Sequence, residues 1–171
     1  MKRFDAVVVA PNYRLAPEHP FPTGMNDGWD TISWIAKNAV DTLRTDPSKG
    51  FVVGGISAGA NLTNVITHLA RDRGLKPPIT GNLLSVAGVR LRPDDQEKLP
   101  QKYRERYLSR TQDSCMNSTV IGPGFRKLFE TSLKADINSE LHAPLIWPSE
   151  AGHKGMPRTY SQVCGIDTGR E

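Results

Sequence analysis

The stretch FVVGGISAGANL, Phe51 to Leu62, decides the fold. It begins as a short apolar run rich in β-branched residues, halts at Gly54 and Gly55, turns at Ser57 and continues with helix-forming spacing. From Ala60 onward, Leu62, Val65, Ile66, Leu69 and Ala70 fall on one helical face. Arg71 and Arg73 suit the negative end of that helix, and Gly74 suits the left-handed position just past it. A strand that turns directly into a helix is one half of a parallel β-α-β unit, so the flanking sequence should supply further strands.

It does so on both sides. FDAVVVAPNY (Phe4–Tyr13) is a continuous apolar run, expected to be a strand covered on both faces. RLAPEHPFP follows, and its three prolines predict a rigid, extended passage without regular helix. Met25, Trp29, Ile32, Ala36 and Leu43 then repeat at helical spacing, which predicts an amphipathic helix over residues 24–44. TDPSKG is a loop and FVVGG a second buried strand. ITGNLLSVAGVRL is a third strand, and RTYSQVCGID (Arg158–Asp167) is a fourth. Residues 93–140 break this rhythm. They are polar, carry expected helices at about 99–110 and 123–134, and read as a lid or insertion. The alternation outside them indicates a mostly parallel α/β sheet.

Composition sets outer bounds. The 171 residues correspond to one domain, and 37% hydrophobic with 23% charged residues allows a packed core. The net charge of +4 is dispersed. The densest basic run, KYRERYLSR (Lys102–Arg110), includes Glu105 and reads as a solvated helix face with two tyrosines turned toward apolar neighbours. An anionic partner is the weaker alternative, and nucleic acid is not expected. Cys115 and Cys164 have no metal-ligand spacing. Without a signal peptide or a long apolar run, a reduced cytoplasmic protein without stable membrane insertion is expected. The sequons at Asn61 and Asn117 then carry no glycan.

A serine hydroxyl is a weak nucleophile. It needs a base, a group to orient that base, and donors for an oxyanion. GISAG fits the G-x-S-x-G elbow with Gly55, Ser57 and Gly59. The glycines let strand and helix approach closely, and the Ala58 N–H at the helix start is placed for the oxyanion. The competing reading is a plain glycine-rich strand-to-helix turn. A phosphate loop fits poorly, because no Lys-Ser/Thr closes the motif and Ile56 stands where a dinucleotide loop needs glycine.

NYRLAPEHPFP, GGISAGANL and MPRTYSQVCGIDTGRE occur in this order. Together they resemble the α/β-hydrolase fold-3 family, the hormone-sensitive-lipase-like esterases, over nearly the whole chain. YRLAPEHPFP (Tyr13–Pro22) is the specific signature, a structural brace near the active site. Two departures are Ile56 in place of a common Asp and Ala60 in place of a common Gly. The resemblance implies a partial α/β-hydrolase core at residues 1–92 and 141–171, with a lid at 93–140. It implies hydrolysis of a small carboxylic ester by attack of Ser57, with neither metal nor cofactor. DTGRE aligns with the family's acid motif and assigns the acid to Asp167, which otherwise reads as a strand-end turn residue.

The resemblance also sets expectations about what is missing. The family's histidine follows the acid, and its HGGG oxyanion motif precedes the Phe4–Tyr13 run, so the chain reads as truncated at both ends. The base is expected to come from outside this chain, and none of His19, His68, His142 and His153 is expected to replace it, with His153 slightly ahead of the others. His68 is eleven residues along the helix from Ser57, roughly 16 Å at 1.5 Å per residue. The family's sheet also has a strand between the Phe4–Tyr13 and Phe51–Gly55 runs. Without it, the sheet either closes up or leaves unpaired edges, and the chain is expected to be marginal or oligomeric. The alternative function is a non-catalytic remnant or small-molecule binding module, as in gibberellin-receptor-like relatives.

Overall fold

The computed structural model describes residues 4–87, 101–106, 128, 131–145 and 147–165. Three parallel strands form one sheet in the order β1 (Val52–Ile56), β2 (Gly81–Ser85) and β3 (Arg158–Gln162). Among the described residues two long helices accompany them, α1 (Thr23–Asn38) and α2 (Ala58–Asp72). Parallel neighbours cannot be joined by a tight hairpin, and α2 provides the crossover from β1 to β2.

Helix α1 forms where the apolar spacing predicts it, and its end is more irregular than expected. Residues Ala39–Leu43 widen into a π turn, which closes at Arg44 with φ 53°. TDPSKG contains a short 3₁₀ turn, Pro47–Lys49, capped by Asp46, whose carboxylate accepts from the Ser48 amide at 2.9 Å. Helix α2 ends as anticipated. Gly74 takes φ +66°, and the Leu75 N–H reaches back to the Ala70 carbonyl at 2.8 Å.

The core lies between the two helices and the sheet. Ile32 of α1, Ile66 and Ala70 of α2, Phe51 and Ile79 are buried together, with Trp29, Leu62 and Val53 packed around them. Gly28 marks the closest helix approach: a Cβ there would stand 2.5 Å from Ile66 Cδ1. A buried polar link ties α2 to β2, where the Thr67 hydroxyl bonds to the Thr63 carbonyl at 2.7 Å and to the Asn82 side chain at 2.9 Å.

Helix α2 packs on β1 and β2 and α1 packs on α2, and the strands are not buried on two sides as expected. On β2 the pattern alternates, with Asn82 and Leu84 buried and Leu83 exposed. Register places Gly54, Leu83 and Tyr160 in one row on the opposite face, where Leu83 and Tyr160 are exposed among the described residues. Val52 and Ile56 share that face, and Ile56 is 71% exposed. The expected strand within Phe4–Tyr13 does not form. Residues 6–15 run without regular structure, and Val7, Val8 and Val9 are exposed. A strand exists through its ladder partner, and this run pairs with none of the strands among the described residues. The sheet has therefore not closed up, and the outer edge of β1 is unpaired among the described residues.

Much of residues 93–140 lies outside the described residues. Gln101–Arg104 forms a helical turn, and Lys102, Arg104, Glu105 and Arg106 are exposed. Leu128 and residues 131–133 are helical, and the Leu133 carbonyl accepts from the Phe21 amide at 2.9 Å. Cys164 is an exposed free thiol, and Cys115 lies outside the described residues. No helix among the described residues is long and apolar enough to cross a membrane.

The proline-rich passage is fixed to α1 by one charged pair. Arg14 donates its backbone N–H to Asp27 Oδ2 at 2.9 Å, and its guanidinium forks onto the same carboxylate, with Nη2 2.7 Å from Oδ1. Hydrogen bonding from Arg14 lowers the Asp27 pKa from 3.8 to about 2. A depressed carboxylate stabilises the fold above its unfolded value and loses that contribution as pH falls through the folded one. Asp27→Asn is therefore expected to melt below the wild type at pH 7, with the gap closing as the pH is lowered from about 4 toward about 2. Thermal melts across that range check this.

Candidate active site

Ser57 is the single residue between the last residue of β1 and the first of α2. Its backbone sits at φ 55°, ψ −115°, a conformation that L-residues adopt only under constraint. Three hydrogen bonds supply the constraint. The Ser57 N–H donates to the Ser85 carbonyl at the end of β2 at 2.9 Å. The Ser57 carbonyl accepts from Ala60 N at 3.0 Å and Asn61 N at 3.1 Å, which closes the first turn of α2. The side chain is left exposed at the carboxyl end of a parallel strand.

The two glycines around it do different work. A Cβ on Gly55 would lie 2.3 Å from the Gly59 carbonyl carbon and 2.4 Å from its oxygen. No side chain fits there, so Gly55 permits the strand and the returning helix to meet backbone to backbone. A Cβ on Gly59 would meet nothing within 4 Å. Ala60, which replaces the expected glycine, is fully buried with Leu84 and Ala87 beneath the turn. Ala58 is exposed at the first position of α2, where amides have no carbonyl one turn back and carry the positive end of the helix dipole.

Strand register brings further groups to this end of the sheet. Ile56, Ser85 and Gln162 form one row. The Ser85 hydroxyl is 3.3 Å from Gln162 Oε1, and the Val86 N–H donates to the Gln162 carbonyl at 2.7 Å. Val86 has φ 52°, a second left-handed non-glycine residue beside Ser57. Sequence analysis did not single out Ser85, Val86 or Gln162. Their signal was available only as alignment of the three strand ends, which requires the register. Asp167 lies outside the described residues.

The histidines are elsewhere. His68 is 1% exposed on α2, with Nδ1 2.8 Å from the Asn64 carbonyl oxygen and Nε2 2.9 Å from His153 Nδ1. Burial lowers its pKa, against the opposing pull of the Asn64 carbonyl, and the nearby Arg71 guanidinium acts in the same direction as burial. His153 places Nε2 2.6 Å from the Leu145 carbonyl oxygen, so both of its ring nitrogens are engaged. It is therefore drawn to the His68 position on α2 and not to Ser57. His142 meets the Phe21 ring edge-on, and the His19 amide donates to Leu15 within the proline-rich turn. Among the described residues, no hydrogen bond joins the Ser57 hydroxyl to a histidine.

The sequence matches the family described as the alpha/beta hydrolase fold over residues 1–171. It is 35% identical over 171 residues to an AB hydrolase superfamily protein of Schizosaccharomyces pombe, covering 99% of this chain and 47% of that protein. It is 48% identical over 80 residues to carboxylesterase NlhH of Mycobacterium tuberculosis, covering 47% of this chain and 24% of that one. Among solved structures, vibralactone cyclase superposes with a TM-score of 0.78 at 31% identity, covering 93% of this chain and 44% of that chain. The chain spans about half the length, or less, of these relatives.

The asymmetry of the two glycines is testable. Gly55→Ala is expected to destabilise by about 1–3 kcal/mol or more through backbone overpacking. Gly59→Ala, with open space at its Cβ and a better helix former, is expected to stay within about 1 kcal/mol of the wild type. Denaturant midpoints of the two variants read the difference directly.

Proposed function

The chain belongs to the α/β-hydrolase fold-3 family, and from that premise we propose that it is a serine hydrolase of the carboxylesterase type acting through Ser57. The observation that carries this reading is the backbone of Ser57. A serine at a constrained apex between a parallel strand and a helix N-terminus, with its side chain exposed, is the arrangement that acyl transfer requires. Arg44 has a similar φ but pairs it with ψ 39° in the ordinary left-handed region, whereas Ser57 combines φ 55° with ψ −115°, outside that region.

In this mechanism Ser57 Oγ attacks the carbonyl carbon of a small carboxylic ester as a base removes its proton. The Ala58 N–H stabilises the developing oxyanion, assisted by the helix dipole. Collapse breaks the carbon–oxygen bond to the alcohol, which leaves with the proton held by the base, and the acyl group stays on Ser57. Water, giving its proton to the same base, then attacks the acyl carbon and releases the acid and Ser57, which regains the proton. Asp167 is assigned to orient the base. His68 and His153 do not serve as that base, because their ring nitrogens are committed to one another and to main-chain carbonyls.

The same observation favours a second reading, in which the site binds a small ligand without turnover. The two readings diverge in one experiment, hydrolysis of a short-chain nitrophenyl ester by the 171-residue chain beside Ser57→Ala. With no base bonded to Ser57 among the described residues, turnover is expected to lie several orders of magnitude below that of a complete triad. The esterase reading expects Ser57→Ala to remove the activity that remains. Equal activity of both proteins above the blank excludes Ser57 as the nucleophile. Both at the blank, with both folded, supports the binding reading.

A further inference from the structure

The histidine pair on α2 belongs to none of this chemistry. His68 and His153 are 85 residues apart in sequence, yet they form the centre of a chain of three hydrogen bonds. The chain runs from the Asn64 carbonyl to His68 Nδ1, from His68 Nε2 to His153 Nδ1, and from His153 Nε2 to the Leu145 carbonyl, at 2.8, 2.9 and 2.6 Å. It fastens the segment that precedes β3 onto α2. Other contacts reinforce the same docking. Trp147 stacks on His68 with centroids 4.5 Å apart, and its indole N–H donates to Asp72 at 2.7 Å. Arg71 donates to the Gly152 and Lys154 carbonyls, both at 2.7 Å.

Counting protons along this chain fixes its charge. A carbonyl oxygen only accepts, so His68 Nδ1 and His153 Nε2 must each carry a hydrogen. The central contact joins two nitrogens, and one of them must supply a third hydrogen. Two neutral imidazoles hold two ring protons between them. Three complete bonds require three, so the fully bonded pair carries one net positive charge. With one proton fewer, either two lone pairs face each other at 2.9 Å or a carbonyl loses its donor. With one proton more, two N–H groups oppose each other.

We propose that His68 and His153 form a proton-gated latch, which closes the docking of residues 147–156 on α2 fully only while the pair shares a single extra proton. The surroundings place the charge. His68 is buried, and Arg71 and His153 disfavour a charge on it while Asp72 favours one. His153 is exposed, so the extra proton of the pair is better hydrated on that side. The acid limb is therefore protonation of His68. Its lowered pKa means the latch survives below the usual histidine range and fails as pH falls through that depressed value. The alkaline limb is loss of the bridging proton, and the latch fails as pH rises through it. Arg71 and the Trp147–Asp72 bond remain, so release is a local opening and not global unfolding.

The test uses the whole chain and two readouts. Hydrogen exchange of the Gly152 and Lys154 amides, which bond within the segment to Ser149 and Ala151, is followed from pH 4 to 9 as protection relative to intrinsic rates. A bell-shaped profile is expected, falling about tenfold on each side, as for loss of a charge-assisted hydrogen bond. His153→Ala, an exposed substitution, is expected to flatten the profile at the level of the limbs. Imidazole ¹⁵N NMR of the wild type at the pH of greatest protection is expected to show three ring N–H groups across the pair. Two ring N–H groups there, a flat wild-type profile, or a bell that persists in His153→Ala would each overturn the proposal.

Discussion

The architecture rests on one close contact, the backbone of Gly55 against that of Gly59. It lets β1 become α2 through a single residue, with no loop to absorb the change of direction. Ser57 is then forced out of the common backbone regions, and the Ser85 carbonyl holds it there. Because the turn is so short, the direction of α2 follows from that of β1. The packing of α2 on the strands, and of α1 on α2, follows in turn. A methyl group at position 55 would disturb all of these at once, which is why the smallest side chain in the motif has the largest structural reach.

Helix α2 serves three neighbours with three parts of its surface. Its N-terminus places the exposed residue Ala58 directly after Ser57. One flank, with Ile66 and Ala70, completes the apolar core with α1. Another, with His68, Arg71 and Asp72, receives the segment that leads into β3. The position of β3 is thus set by polar and aromatic contacts on the helix as well as by its ladder with β2. Gln162 at the end of β3 bonds at Ser85 and Val86, next to Ser57. The latch and the serine are separated by eleven residues of helix and connected through the same strand.

What the sequence made legible was what local chemistry dictates. The turn at Ser57, the apolar stripe of α2 and its Gly74 terminus each depend on residues within a few positions, and each was readable. The three strands of the sheet were readable for the same reason. The Val7–Val9 run was misread because its apolar content states a preference for burial, while a strand also needs a partner that local sequence does not contain. The same gap concealed the uncovered sheet face, since alternation on β2 shows that two faces differ and not what lies on each. The His68–His153 pair had no sequence signature at all. Distance alone separated His68 from Ser57, and only the folded chain showed what both rings bond instead. Asp167 remains an assignment by resemblance.

The row of Gly54, Leu83 and Tyr160 on the open face has a thermodynamic corollary. Heat capacity rises on unfolding because apolar surface becomes hydrated, and Tyr160, Val52 and Ile56 are already largely, and Leu83 nearly half, hydrated in the folded chain. Their share of that increment is small. The stability curve of these 171 residues should accordingly bend less with temperature than that of a sheet sealed on both sides, trading height at its maximum for breadth.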